Sequence, residues 1–481
     1  MSTTPFFPAW RSRLHRRPDR DLRSNFAHLR RCTLDQLEER LGPLLAGLDV
    51  LAAANASPRE RPYSVRRTWW CFLWQMLQLN ASCRQVVRQL QAMLVLEGRP
   101  AVDDGTGAYC QARARLPEPL LASALHLSAQ AADQRVTPPL ALQGRVVKAI
   151  DLTTLALPDT PENQAQYPQS SSQKPGCGFP RLHLLVVWSG RSGAVLDHAK
   201  GDYHHGEMRL LHQLTPTLVA KDIVIYDRAA GHYVACARLQ AHQADLISRV
   251  TKRKIDWRRG QRIGPGEGLV VWRKTWKMPP YLTAEEWAAL PEEITVRVIR
   301  HRVKQKGYRT HELVLVTTLL DPTAYPAVEI AAAYLRRWRL EMCLDDLKTT
   351  LGLDALRCQS PAMIHRELLT LLIAHNLVRA VMAEAAREHA VPLERISFTG
   401  TLDTFRSFCA AMAQTTRPKQ RRLIWAQMLR TIAADLVPLR PGRREPRVVK
   451  RRPKPYALLT RPRHEYREIR HQNHYRRPTK T

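Results

Sequence analysis

The stretch from Ala327 to about Leu351 contains no glycine and no proline. Both kinds of punctuation stand at its ends, Pro326 just before it and Gly352 just after it. Proline opens helices and glycine closes them, so the stretch predicts one continuous helix. At about 100° per residue, Tyr334, Arg337, Glu341 and Lys348 fall within an arc of about 60°. Leu340, Leu344, Leu347 and Leu351 form a neighbouring apolar stripe that can dock on a core. One helix therefore offers a buried edge and, beside it, a phenol, two cations and one carboxylate. The same pattern suits a solvated helix laced with ion pairs. Periodicity alone does not separate the two readings.

Charge narrows the partners. The chain has 481 residues with 75 Lys+Arg against 43 Asp+Glu, a formal net charge of +32. Such an excess repels itself in a folded protein and is usually neutralised by a polyanion. Nucleic acid is the leading expectation, an anionic membrane the runner-up. Hydrophobic residues make up 44%, which excludes a wholly disordered chain and leaves room for several domains. No stretch reads as long and apolar enough to span a bilayer. The most apolar helix, about Met363 to Ala386, is interrupted by His365, Arg366, His375, Asn376 and Arg379. The N-terminus is basic without an apolar signal core, and the nine cysteines show no closely spaced metal-binding pair. A cytoplasmic protein is the expectation, with no membrane partner.

Residues 1–140 read as helical. Thr33 precedes an amphipathic run through Leu34, Leu37 and Leu41, with Gln36 placed for a capping box. A cluster of Trp69, Trp70, Phe72 and Trp74 suits a core. Ser82 caps a run through Val86, Leu90 and Leu94. A loop with Gly105 then leads to a helix carrying Tyr109, Arg113 and Arg115. Two short helices around such a loop fit a helix-turn-helix with Tyr and Arg exposed to DNA, or equally a plain bundle.

From Gly144 the pattern changes to strands. Val146 to Ile150 form an apolar strand ending in Asp151, followed by Leu152-Thr153-Thr154. A long Ser/Gln/Pro/Gly loop covers Asp159 to Gly178. Leu182 to Trp188 and Ala194 to His198 form a hairpin around Ser189-Gly190-Arg191-Ser192-Gly193. A helix from Gly206 to about Leu218 precedes Ile223-Val224-Ile225-Tyr226, a strand that again finishes on an acid, Asp227. Arg228, Gly231 and a helix through Val234 follow, while Asp222 at the strand's start reads as a turn residue. Strand runs at Asp245–Val250, Gly268–Trp272, Ile294–His301 and His311–Thr317 fill the interval to Pro326. Cations (Arg249, Lys252, Arg253, Lys254, Arg297, Arg300, Arg302, Lys304, Lys306) lie among them with Trp257, Trp272 and Trp276. Charged strands suit tracking of a phosphate backbone. Each tryptophan either stacks on an unpaired base or plugs a small core. Beyond Leu351, helices are expected through Ala386, Leu402–Met412 and Lys419–Leu436, and a basic, disordered arm from Arg440.

Tyr334, two residues, Arg337, three residues, Glu341, six residues, Lys348 resembles the YREK signature of the insertion-sequence-four family of DDE transposases. All four positions match without a gap. Asp151 resembles that family's first acid, and Asp227 its second, with Asp-Arg-Ala-Ala-Gly in place of the more usual Asp-Arg-Gly. The resemblance implies an α/β fold: an RNase H-like catalytic core with a β-rich insertion, helical flanks at both ends and the basic tail. Its parts would be an end-binding region at 1–140, the core at 141–240, the insertion at 241–326, the Glu-bearing helix at 327–352, further helices at 353–439 and the tail at 440–481. It implies that Asp151, Asp227 and Glu341 bind metal, and that Tyr334, Arg337, Lys348 and Arg228 contact DNA. In relatives that form a DNA hairpin an aromatic of the insertion holds a flipped base, and here no single tryptophan is assigned to it.

Three carboxylates suit two Mg²⁺ (or Mn²⁺) ions, hard cations that take oxygen ligands. Asp151 is expected to bridge both, with Asp227 and Glu341 holding one each. The implied activity is hydrolysis at transposon ends and joining of the 3′-hydroxyl to target DNA. The implied partners are terminal inverted repeats, target DNA and a second copy of the chain in the synaptic complex. Two other readings stay open: a basic DNA-binding protein descended from a transposase but without catalysis, and a stand-alone metal-dependent nuclease.

Overall fold

The computed structural model describes residues 41–45, 62–136, 142–250, 260–303 and 312–438 apart from 79, 97, 414 and 416, together with Ile255, Arg461, Pro462 and Glu465. The expected helix start at Thr33, Trp257, Lys252, Arg253, Lys254, Lys304, Lys306 and nearly all of the basic arm lie outside the described residues.

The N-terminal helices are α1 (Val65–Leu77), α2 (Cys83–Leu96), α3 (Gly107–Ala114) and α4 (Glu118–Gln134). Ser64 caps α1 by accepting from Arg67 N. Ser82 and Gln85 exchange bonds at the start of α2, each side chain accepting from the other's backbone N–H. Trp69, Trp70 and Phe72 are core residues, as their clustering suggests. The exposed reading helix expected at Tyr109 and Arg113 is overturned. Tyr109 is fully buried with its hydroxyl on Gln75 Oε1, and Arg113 is buried against the rings of Phe72 and Tyr109. Both side chains fasten α3 to α1 and do not face solvent.

The core strands follow as β1 (Val147–Ala156), β2 (Arg181–Ser189) and β3 (Val195–Asp202). Between β1 and β2 the expected loop contains α5 (Pro161–Gln166), capped by Thr160. Next come α6 (Glu207–Leu214), β4 (Ile223–Tyr226), α7 (Tyr233–Ala241) and β5 (Asp245–Arg249). β1 pairs antiparallel with β2 and parallel with β4, and β4 is parallel to β5, giving the spatial order β3-β2-β1-β4-β5. Three antiparallel strands followed by two parallel ones, with a helix in each crossover, is the RNase H-like arrangement.

β6 (Gln261–Gly264), β7 (Glu267–Arg273), β8 (Glu293–Arg302) and β9 (Glu312–Thr317) do not make a sheet of their own. β9 pairs with β5, and β8, β7 and β6 follow outward, so one nine-stranded sheet runs through the described residues. Asp245–Arg249 is thus a core strand, and the interval also holds a short helix, α8 (Ala284–Ala288), with a Thr283/Glu286 capping box. Arg297, expected on a DNA-facing surface, is fully buried. It bonds Glu267 and the carbonyls of Asp321 and Tyr325, tying β7 to the turn before the next helix. Arg300 and Arg302 remain exposed.

The predicted long helix is broken into α9 (Ala327–Leu335), α10 (Trp338–Asp345) and a π-helical turn over Asp346–Thr350. After these run α11 (Pro361–Glu388), α12 (Phe398–Ala413) and α13 (Pro418–Ala434). α11 is the molecule's central helix. By length and hydropathy it meets the test for a membrane span, contrary to the sequence expectation, yet 94% of its most apolar window is buried inside the fold. Asn376, fully buried on it, donates to Val195 O and Ser128 Oγ and accepts from Val195 N, locking α11 to β3 and α4.

Strand alternation sorts side chains between two cores. Ile150, Val224, Tyr226 and Leu246 face a core under α6 and α7. Ala149, Ile225, Ile247 and Leu315 face α9 on the other side. Odd-numbered positions of β1 and β4 therefore point toward α9 and α10.

Candidate active site

The parallel ladder between β1 and β4 stops at Ala149↔Ile225. Two residues further along each strand stand Asp151 and Asp227. β1 continues through Asp151 because it still pairs with β2, where Asp151 lies opposite Val186. Asp151 is therefore the middle of a ten-residue strand, and not its end as the sequence suggested. What ends there is the pairing with β4. The two parallel strands part there, at their carboxyl ends, the usual location of sites in open α/β sheets.

Asp227 is held by its own turn. Its Oδ1 accepts from Ala229 N at 2.7 Å, capping the short helical turn Arg228–Ala230, and its carbonyl accepts from Ser248 Oγ. Gly231 ends that turn so close to β5 that a Cβ there would sit 2.6 Å from Arg249 O. That contact explains the spacing Asp-Arg-Ala-Ala-Gly: one helical turn is completed before the chain must pass another backbone. Arg228 is exposed beside Asp227.

The third acid comes from α10. The chain turns at Arg336 and Arg337, where N–H groups bond three residues back, Arg337 N to Tyr334 O and Arg339 N to Arg336 O. This break shifts the angular phase between Tyr334 and Glu341, so the four signature residues do not share one straight helix face. Tyr334 is buried on α9 with the Arg337 guanidinium 6.0 Å from its ring centre. Arg337 Nη2 donates to Glu341 Oε1 at 2.6 Å. Lys348 lies in the π-helical turn, 3.8 Å from Asp354. Leu347 and Leu351 are buried and Leu344 partly so, as the apolar stripe predicts; the side chain of Leu340 is not described.

Electrostatics link these groups. Burial pushes the Asp151 carboxyl up, Arg337 opposes that, and the charges of Glu341 and Asp227 push it further up. Asp151 thus lies within electrostatic reach of both other acids. Burial disfavours the Arg337 cation, but Tyr334, Glu341 and Asp151 more than restore it. Among the described residues no group of three or more His, Cys, Asp or Glu is drawn together tightly enough to ligate a metal as it stands. Glu341 is held by Arg337 instead. The donor set nevertheless fits a hard divalent ion. It is all oxygen, and mutual repulsion among the acids is what such an ion relieves.

Asp222 is a turn residue, as expected: its N–H bonds Val219 O and its Oδ2 accepts from Val219 N; it is buried and also pairs with Lys148 at 2.6 Å at the opposite end of β4. Trp272 packs on the core, whereas Trp276 is 94% exposed. Sequence reasoning passed over Trp338, exposed on α10, and Glu207 with Tyr226. An acid in the first turn of a helix is so common that Glu207 carried no signal of its own.

Residues 142–377, a span that includes Asp151, Asp227 and Glu341, match the family model described as the transposase DDE domain. Over those residues the chain is similar to transposase DDE domains. It is a distant homologue of transposase InsG for insertion sequence element IS4 of Escherichia coli (strain K12), 27% identical over 448 residues, which cover 91% of this chain and 96% of that one. Among solved structures it is similar to a piggyBac transposase synaptic complex with hairpin DNA, at a TM-score of 0.39 and 8% identity, covering 80% of this chain and 81% of that one. Transposase DDE domains form a family of phosphoryl-transfer enzymes that typically use divalent metals.

Proposed function

We propose that this chain is the transposase of an insertion sequence, cutting the element's ends and joining the freed 3′-hydroxyl to target DNA. The observation that carries the reading is Asp151. It is a half-buried acid at the parting of two parallel strands, acted on at once by Asp227, Glu341 and Arg337. Homology to an IS4 transposase along most of the chain supports it.

Two Mg²⁺ or Mn²⁺ ions, when bound, supply the positive charge that in-line displacement at phosphorus requires. Asp151, Asp227 and Glu341 are the groups to hold them. Arg337 exchanges Glu341 for a phosphate oxygen, which frees Glu341 for the site and places a planar cation on the scissile group. Tyr334 stacks behind Arg337 and limits its swing. Arg228 and Lys348 add positive charge along the DNA backbone. Water attacks first and the 3′-hydroxyl second, since both steps are displacements at phosphorus. A second copy of the chain is required wherever two ends are brought together.

The test is incubation with Mg²⁺ or Mn²⁺, duplexes carrying the element's ends and a circular target. Strand transfer supports the proposal, nicking without joining points to a nuclease, and binding without cutting points to a DNA-binding protein. Glu341→Gln abolishes cleavage and retains end binding, while Arg337→Ala weakens both. Normal cutting by Glu341→Gln in Mg²⁺ would overturn the assignment.

A further inference from the structure

Two cysteines from different helices meet on one guanidinium. Cys83 is the first residue of α2, and Cys110 stands one turn before Arg113 on α3. Arg113 Nη2 donates to Cys83 Sγ at 3.2 Å and to Cys110 Sγ at 3.5 Å. The sulfurs are therefore no further apart than those two distances laid end to end, and the two thiols also act on each other directly. Gln75 Nε2 reaches Cys83 Sγ at 3.8 Å, and the same side chain accepts from the Tyr109 hydroxyl. Gln75 and Arg113, both buried, thus hold the pair between α1 and α3. Both thiols line a cavity of about 800 Å³, whose wall also includes Arg357 and Cys358. Both are partly exposed, whereas Cys71, Cys236, Cys343, Cys358 and Cys409 are buried. Cys177 is the other partly exposed cysteine among the described residues.

We infer that Cys83 and Cys110 are a redox-active dithiol, which a low-molecular-weight disulfide entering this cavity converts to a disulfide between α2 and α3. One protein thiol gives up its proton and attacks a sulfur of the small disulfide. The small molecule's own S–S bond breaks, a mixed disulfide forms, and the first half leaves as a thiolate that takes up the proton. The second protein thiol then loses its proton and attacks the protein sulfur of the mixed disulfide. The second half leaves as a thiol. The two protein sulfurs are oxidised and the small disulfide is reduced, two electrons in all. Arg113 is placed to stabilise negative charge on either sulfur, which a thiolate nucleophile requires. Burial pushes the Cys83 thiol up, and Arg113 opposes that. In return, burial disfavours the Arg113 cation, while Tyr109, Cys83, Cys358 and Cys110 more than restore it. Cys358 does not compete, because burial and then the charge of Glu367 keep it a thiol. Closure ties the first turn of α2 to α3, so the packing of these two helices follows the redox state of the surrounding thiol pool. The inference is independent of the acid site, and either can fail without the other.

The test uses the full, pre-reduced chain in buffers of oxidised and reduced glutathione. Free thiols are alkylated at intervals, and the linkages are mapped by peptide mass spectrometry. A Cys83–Cys110 linkage is expected, reversed by dithiothreitol and formed about tenfold faster than any modification of Cys177. Cys83→Ser and Cys110→Ser each stop at a mixed disulfide with glutathione on the remaining sulfur, whereas Cys177→Ser leaves the linkage unchanged. In urea the preference for this pair is lost. Separate mixed disulfides on Cys83 and Cys110 that never close would overturn the inference. So would linkages to Cys177 that form as fast, or a pair that stays reduced while Cys177 reacts.

Discussion

Asp346 shows how a single carboxyl can carry a pH dependence apart from catalysis. It lines a cavity of about 270 Å³ with Arg336, Arg337, Cys343, Arg379 and Phe398, behind the Glu341 helix. Burial pushes its pKa up to about 7, with Arg379 opposing and Asp345 adding to the rise. A carboxyl raised in the folded state keeps its proton while the unfolded chain has already lost it. Stability is therefore greatest below the unfolded pKa near 4 and falls as pH rises to about 7, then levels. Asp346→Asn is expected to match the wild type at pH 4 and to exceed it at pH 8 by about 2 kcal/mol, discounted for partial exposure. Thermal melts across that range check the crossover; equal gains at both pH values would contradict it.

The elements are joined by a few polar residues whose partners lie far away in the chain. Asn376 satisfies both backbone groups of Val195 and reaches Ser128, so one side chain ties α11 to the sheet and to the N-terminal helices. Replacing it with Leu strands a buried N–H and a buried C=O. The expected cost is about 2–4 kcal/mol in denaturant unfolding. Gly231 is the corresponding point in the Asp227 turn. A methyl at 2.6 Å from Arg249 O meets backbone that cannot rotate away. Gly231→Ala is expected to displace Asp227, lowering cleavage at least tenfold while end binding persists. Gel assays of binding and cleavage on one duplex separate the two effects.

Taken whole, the molecule couples a strongly cationic chain to acids set where two parallel strands part. On the proposed function, a net charge of +32 would make non-specific duplex binding largely a matter of counterion release. Affinity for duplex lacking element ends is expected to fall about 10³-fold between 50 and 200 mM salt if about six phosphates are engaged. A nearly flat salt response would show that the positive charge is not directed at DNA. On the proposed function the three acids would gather a cation while the surrounding charge attracts phosphate. The two requirements meet at Arg337, which pairs with Glu341 in this structure.

Much of the site was legible in residue order, because acids placed after apolar strands and a spaced Tyr/Arg/Glu/Lys set are local patterns. Asp151, Asp227, Glu341 and Arg337 could be named from the sequence, and the structure sets the other three within electrostatic reach of Asp151. The strands and most helices were legible for the same reason, since periodicity of 2 or 3.6 is written along the chain. Burial and phase were not. Tyr109, Arg113 and Arg297 read as exposed polar side chains but lie inside, because what covers them comes from distant segments. The break at Arg336 and Arg337 has no proline or glycine to announce it. Strand pairing decided that β6 to β9 extend the core sheet, and packing decided that Glu207 meets the hydroxyl of Tyr226. Sequence determines which groups and elements a chain possesses. Long-range contacts alone determine which of them face each other, because that choice depends on surfaces no local stretch contains.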